Sequence, residues 1–409
     1  MSFDPHNIRN DFPILQAGQD KPLVYLDNAA TTLKPQPVIN AVTEYYSHFS
    51  ANVHRGVYDI GEKATAAYEG AREKMRQFIN APSIRNIIFT QGTTESINLV
   101  AYSWARRNLK QGDVILITEM EHHSNLVPWQ LVARDTGAVL RYLPLLADGT
   151  LDISEPDQYF TSNLKLLAVT HQSNVLGTVN PLSNLIEMAH SAGALVLVDA
   201  AQSIPHFPVD VTLLNCDFLM FSGHKMIGPT GVGVLYGRED LLDQMDPFIS
   251  GGEMITTVNM AEAQWNELPW KFEAGTPNIA QVIGLGAAVD YLNKLGLDAI
   301  HKYELDLTQY TLEQLTQVEG LQVLGPRQNR GPVFSFSLKD IHPHDVAQLL
   351  NEFGVAVRAG HHCAEPISRY YHLPATTRAS LYFYNTRAEI DLLVDGLNKV
   401  LAFWKGEVS

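Results

Sequence analysis

Lys225 stands in Ser222-Gly223-His224-Lys225-Met226-Ile227-Gly228-Pro229, directly after the apolar run Cys216–Phe221. The run reads as a buried strand, and the glycines after it mark a loop. A lysine at the inner end of a core strand needs a partner for its amine or a covalent task. One such task is a Schiff base, for which the amine must be free and its pKa lowered by burial or nearby cations. His224 and the glycine-lined backbone are placed to help hold a charged cofactor. A surface lysine after a strand is the plain alternative, and these eight residues alone do not choose.

Three further stretches carry related chemistry. Ala194–Val198 is apolar and ends in Asp199, followed by Ala200-Ala201-Gln202. An acid at the carboxyl end of a buried strand points into the crevice where open α/β sheets bind ligands, although a helix cap or loop acid would look the same. Gln91-Gly92-Thr93-Thr94-Glu95-Ser96 lies between the strand-like Ile87–Thr90 and a helical stretch. Free N–H groups and hydroxyls at such a turn make an anion cradle; an ordinary N-cap is the alternative. Glu121-His122-His123-Ser124-Asn125 follows the apolar run Val114–Ile117. A phosphate cradle, an acid, an imidazole and a lysine, all at strand ends, are the parts a pyridoxal phosphate site needs. The acid keeps the pyridine nitrogen protonated, the lysine holds the aldehyde, and a flat side chain covers the ring.

Cys363 lies in Gly360-His361-His362-Cys363-Ala364-Glu365-Pro366, a loop by its glycine and proline. On a polar, histidine-rich loop a reactive role is favoured over packing, because protonated imidazoles nearby would lower the thiol pKa. Cys216, at the start of a core strand, reads as structural. Two cysteines exclude a disulfide framework and suit a reducing cytoplasm. Arg378 opens a strand-like stretch. It can grip a carboxylate with two parallel hydrogen bonds, but by residue type alone a surface ion pair is the plainer reading.

These residues need a frame. Strands are expected at Ile87–Thr90, Val114–Thr118, Val139–Leu143, Leu164–Thr170, Ala194–Asp199, Asp217–Phe221 and Gly231–Tyr236. Helices fall between them, for example at Asn98–Arg107 and Leu182–Ser191. This rhythm predicts an α/β fold with a mainly parallel sheet covered by helices on both faces. The large domain is expected over residues 19–294, closed by a helix at Ile279–Lys294. A smaller α+β domain is expected from residues 295–409, joined by the arm 1–18. Its elements are a helix around Leu297–Thr316, strands Val333–Ser337, Val355–Arg358 and Arg378–Tyr384, and helices Asp345–Phe353 and Arg387–Trp404.

The 409 residues, 45% of them hydrophobic, can bury a sizeable core, and a formal charge of −15 argues against a nucleic-acid surface. No apolar run approaches a membrane span, and the first residues do not read as a signal peptide. There is no Walker loop, GxGxxG after a strand, CxxC or HExxH. Adjacent histidines at 122–123 and 361–362 point to opposite sides of extended chain, so no metal site is expected.

The ordered set of motifs resembles one family from end to end. Near the N-terminus the matching stretches are Tyr25–Ala30, Asn52–Gly56, Gly92–Asn98 and Glu121–His123. Further on they are Ser173–Gly177, Asp199–Gln202, Ser222–Lys225, Phe272–Asn278, Arg358–Ala364 and Arg378–Ser380. Each is weak alone, but together the chain resembles the group II cysteine desulfurases (SufS/CsdA type) of the class V aminotransferase family, of pyridoxal-phosphate fold type I.

The resemblance implies roles. Lys225 would hold the cofactor and move the substrate Cα proton. Asp199 would pair with the ring nitrogen, Gln202 with the ring oxygen, Asn174 would lie near the ring hydroxyl, and His122 would stack and shuttle a proton. Thr93, Thr94, Ser222 and His224 would bind the phosphate, and Thr276 would reach the phosphate of the other subunit of a homodimer. Arg378 and Asn174 would hold L-cysteine, with His54 and Arg55 at the substrate entrance. Cys363 would take the sulfur as a persulfide, for a small acceptor protein of the SufE/CsdE type, in iron–sulfur cluster assembly or another sulfur route. Selenocysteine lyase or cysteine sulfinate desulfinase activity remains open within the fold, and a non-catalytic sulfur-carrier scaffold outside it.

Overall fold

In the computed structural model, which describes residues 3–17 and 23–406, the apolar runs form one seven-stranded sheet. Across the sheet the order is Ile87–Thr90, Gly233–Gly237, Phe218–Ser222, Leu195–Asp199, Leu164–Thr170, Val114–Thr118 and Val139–Leu143. From Phe218–Ser222 onward neighbours are parallel, whereas Gly233–Gly237 runs against both of its neighbours. The inner strands are mostly apolar because the sheet is covered on both faces. Successive side chains alternate between two cores: Val114 and Leu116 enter one, Ile115 and Ile117 the other. Each such burial contributes about 1.5–3 kcal/mol. Among the described residues no helix is long and apolar enough to cross a membrane.

A third core lies under a four-stranded antiparallel sheet ordered Leu321–Val323, Val333–Leu338, Thr376–Ser380, Arg358–Gly360. The helices Leu297–Leu315, Pro343–Glu352 and Arg387–Trp404 pack around it. Two segments divide differently from expectation. Val24 and Leu26 bury themselves in this smaller core, because Val24–Tyr25 pairs with Val355–Ala356. Ile8 and Phe12 of the N-terminal arm enter the large core instead, although Arg9 still reaches Glu389 at 2.9 Å. The expected junction at residues 18 and 19 lies outside the described residues.

Three expected elements shift. The helix expected from Asn98 already begins at Thr93, so the cradle is its first turn. The expected strand Val355–Arg358 splits between two sheets, as Arg358–Gly360 pairs with Thr376–Arg378. The strand expected at Arg378–Tyr384 runs over Thr376–Ser380, which places Arg378 at its centre. Tyr382, Phe383 and Tyr384 leave the sheet to form an aromatic cluster, in which Phe383 and Tyr384 pack on Phe12.

One close approach fixes the cradle against the sheet. A Cβ on Gly233 would lie 2.4 Å from the Gly92 Cα and 2.8 Å from the Phe221 carbonyl oxygen, both backbone atoms. Gly233→Ala is therefore expected to destabilise the fold by about 1–3 kcal/mol. Gly70→Ala, inside the helix Asp59–Phe78 with nothing within 4 Å of the new methyl, should stabilise it by about 0.5–1 kcal/mol. Urea unfolding of both variants checks this; a Gly233→Ala midpoint at or above wild type would contradict the close contact.

Candidate active site

The strands Val114–Thr118, Leu164–Thr170, Leu195–Asp199 and Phe218–Ser222 end at the same edge of the sheet, and a cavity opens there. Carboxyl ends of parallel strands are where open α/β sheets place ligands. The cavity is lined by Thr93, Thr94, His122, Asn174, Asp199, Gln202, Ser222, His224 and Lys225 from the large unit. Cys363 and Arg378 close it from the small one.

Lys225 ends the short 3-10 turn Gly223–Lys225 after its strand. Removal from water lowers its amine to about 8; Asp199 opposes the shift, and Arg378 adds to it. Such an amine has a far larger neutral fraction near physiological pH than an exposed lysine, and the neutral form is the nucleophile. Asp199 is buried, which raises its carboxyl pKa against the pull of Lys225, and it accepts the Ala201 N–H at 2.9 Å. His122 Nδ1 accepts the Ser124 N–H at 3.1 Å, so its proton resides on Nε2. Burial, and then Lys225, lower this imidazole to about 3, leaving a flat neutral ring.

At the cradle, Thr93 N–H donates to the Ser222 hydroxyl at 2.9 Å, and the two hydroxyls meet at 2.8 Å. Thr94 and Ser124 hydroxyls are 2.7 Å apart. His224 presents its carbonyl to Lys34 Nζ at 2.9 Å and to the Thr32 N–H at 3.0 Å, which ties down the loop before Lys225. Burial lowers the His224 imidazole to about 4. Gln202 is partly committed: its amide donates to the Ala29 carbonyl at 2.8 Å.

Across the cleft, Arg378 is 2% exposed. One of its terminal nitrogens donates to Asp27 at 3.0 Å, the other to the Asn174 carbonyl at 3.1 Å, and Nε has no acceptor among the described residues. Arg378 is thus not the surface ion pair its residue type allowed. Cys363 is exposed, and both it and His362 have left-handed backbones, with φ of +57° and +52°. The expectation that flanking imidazoles charge the thiol fails for His362, which burial holds at about 3 and therefore neutral. The cations that a Cys363 thiolate would meet are Lys225, Arg358 and Arg378.

Comparison with known proteins agrees with this geometry. The aminotransferase class-V profile matches residues 24–393. Relatives from Halalkalibacterium halodurans and Streptomyces coelicolor, both named probable cysteine desulfurase, are 54% and 53% identical over 98% of this chain and 98% of their own. The cysteine desulfurase CsdA from Escherichia coli superposes with a TM-score of 0.92 at 41% identity, over 98% of this chain and 100% of CsdA. The apo cysteine desulfurase from Thermococcus onnurineus NA1 gives 0.94 at 39%, with the same coverage.

The chain belongs to the aminotransferase class-V family.

Pyridoxal phosphate is the cofactor of these class-V desulfurase relatives, and the cleft fits it. Lys225 offers an amine of lowered pKa to the aldehyde, with buried Asp199 close enough to counter that shift. The Thr93 turn, with Thr94, Ser222 and His224, offers hydroxyls and a helix start to a phosphate.

Three residues that the resemblance attached to the site lie outside this cleft in the single chain. His54 and Arg55 line a separate cavity, because Glu69 holds the His54 ring at 2.8 Å and Glu253 holds Arg55 at 3.2 Å. Thr276 lines a third cavity with Gln91 and Glu95. Residue-level reading gave no role to Asp27, His123 or Arg358, all of which contact the site residues. Their only signal was membership of the matching stretches.

The Lys225 shift is testable through cofactor capture by apoprotein, whose rate should rise with pH and level off above about 8. The Asp199 charge raises the Lys225 pKa, so Asp199→Asn should move that midpoint to lower pH. A midpoint unchanged or moved upward would refute the assignment.

Proposed function

We propose that the protein is a cysteine desulfurase, converting L-cysteine to L-alanine and transferring the sulfur to Cys363 as a persulfide. The observation that carries this is the meeting, in one cleft, of an exposed cysteine with a buried lysine of lowered pKa. A transaminase has no use for the thiol, and a passive sulfur carrier has no use for the lysine.

The steps follow from the residues. When bound, pyridoxal phosphate supplies an electron sink for the substrate's α-carbon. Arg378, held by Asp27, directs its free N–H groups at the substrate carboxylate, with Asn174 beside it. Lys225 would move the Cα proton, and Asp199 would pair with the ring nitrogen and favour its charged form. His122, neutral with its proton on Nε2, covers the ring and can pass a proton. Gln202 would hold the ring oxygen with Asn174 near the ring hydroxyl, while Thr93, Thr94, Ser222 and His224 would hold the phosphate. The Cys363 thiolate attacks the substrate Sγ. The S–S bond forms as the Cβ–S bond breaks; Cβ keeps the electron pair and takes up a proton, and Lys225 returns the proton to Cα, giving alanine.

The working form we propose is a homodimer. Thr276, His54 and Arg55 then act toward the partner's cleft, as phosphate contact and substrate entrance. Exposed apolar groups support an interface: Val57 is 94% exposed, and Met260, at the tip of the hairpin Ile255–Val258/Ala263–Trp265, is fully exposed. The persulfide passes to a small acceptor protein of the SufE/CsdE type, serving iron–sulfur cluster assembly or another sulfur route. A free exposed thiol in this role suits the cytoplasm.

Purified enzyme with a reductant should release sulfide and alanine from L-cysteine in equal amounts. Lys225→Ala should lose all turnover, while Cys363→Ala keeps cofactor binding and loses L-cysteine turnover. Turnover of selenocysteine or cysteine sulfinate by both wild type and Cys363→Ala, with none on L-cysteine, would reassign the substrate. Cofactor binding without any turnover would favour the scaffold.

A further inference from the structure

The histidine pair at 122–123 serves the site on two sides, and only His122 faces the cleft. His123 opens the 3-10 turn His123–Asn125 and turns toward the cysteine loop. Its backbone N–H donates to the Cys363 carbonyl at 2.7 Å. Its ring Nε2 accepts the Glu365 N–H at 3.0 Å, at the first residue of the helix Glu365–Tyr370. A backbone N–H can only donate, so this imidazole must be neutral with its proton on Nδ1. One large-domain residue therefore holds the small-domain loop on both sides of Ala364.

The loop needs holding. His362 and Cys363 are consecutive non-glycine residues at positive φ. Such conformations are costly and persist only where their surroundings over-determine them. Asn174 supplies a second tether, donating to the His362 carbonyl at 2.7 Å. The other bonds of the same turn lead to the cofactor side of the cleft: Ser124 N–H to the His122 ring, and Ser124 hydroxyl to Thr94.

We infer that His123 is a positioning residue that sets the Cys363 thiol in register with the cofactor ring, through the turn it shares with His122. This rests on the desulfurase reading for its kinetic consequence, but not for its structural one. His123 touches neither substrate nor cofactor; it acts through the backbone of Cys363 and Glu365. Its loss should spare steps that need only Lys225 and impair the one that needs the thiol in place, because a displacement near 1 Å costs up to about a hundredfold in rate.

Holoenzyme variants His123→Ala and His123→Gln provide the test; the Gln amide oxygen falls near the imidazole Nε2 and can accept the Glu365 N–H. Two readouts are needed. Hydrogen exchange in the segment 361–370 should quicken in His123→Ala and return toward wild type in His123→Gln. The kcat for L-cysteine should fall in His123→Ala by on the order of tenfold more than that for cysteine sulfinate, whose leaving group departs without the thiol, with partial rescue in His123→Gln. Unchanged exchange in His123→Ala would overturn the tether made by the ring, and with it the positioning role, since the backbone bond to Cys363 survives that substitution. Quickened exchange with equal losses on both substrates would overturn the registering role and leave a merely structural one. Exchange is read without turnover, so a wild type inactive on L-cysteine would sink the desulfurase reading while the tether is still decided.

Discussion

The cleft depends on a guanidinium taken almost wholly out of water. Arg378 sits at the centre of a strand of the small sheet and is 2% exposed. A buried arginine is tolerable only where a carboxylate and further acceptors replace its hydration. Asp27 is that carboxylate, and it also receives Arg358. Asp27 bridges to Ser380 beside the small sheet, while the next two residues reach the large unit: Asn28 bonds Tyr384, and Ala29 accepts from Gln202. The ion pair therefore lies in the seam between the cores. Asn174, whose carbonyl takes another Arg378 N–H, brings the large domain to the same point. Removing either partner of such a pair typically costs 3–5 kcal/mol, so the seam is secured by the same group that is proposed to grip the substrate carboxylate.

Charge in the cleft has the opposite sign to the protein as a whole. The chain carries a formal −15, yet Lys225, Arg358 and Arg378 line one cavity. Low-dielectric walls focus such a field and favour anionic ligands. The histidines add nothing to it. His122, His224 and His362 are all shifted down by burial, to about 3, 4 and 3. They serve as shaped, neutral hydrogen-bonding groups, and the lasting positive charge comes from the Arg358 and Arg378 guanidinium groups, while burial lowers the Lys225 amine to about 8. These three imidazoles therefore do not change charge near neutral pH, and Lys225 is the group in the cleft whose amine is brought close to that range.

What could be read from the sequence follows the reach of its signals. Most of the sheet strands were legible because both faces of the sheet's interior are covered, so they are largely apolar runs, and the helices Leu182–Ser191 and Arg387–Trp404 had visible ends. The residues after those strands, Lys225, Asp199 and His122, carried their chemistry in type and position. Misplaced elements had long-range causes: Phe12 draws Phe383 and Tyr384 out of a strand that their β-propensity favoured. Asp27 and His123 find their partners across most of the chain, with Arg378 and Glu365 respectively. No local pattern announces a bond of that span. His54, Arg55 and Thr276 could not be placed in the cleft by one chain at all.

The two tasks of the thiol explain the shape of its loop. In the proposed reaction Cys363 meets the substrate sulfur inside the cleft and then yields the sulfur it has taken to something outside it. A long mobile loop could do both in turn by carrying the thiol between them. Here the backbone on either side is bound: His362 to Asn174, Cys363 and Glu365 to His123. The thiol stays where it reacts. Both tasks then have to be met from one position, which is why Cys363 is exposed while His362 and Ala364, its neighbours, are buried. The left-handed backbone at 362 and 363 is what turns the side chain to a point shared by cleft and solvent. A fixed thiol exchanges mobility for register, so whatever collects the sulfur must come to the cleft mouth.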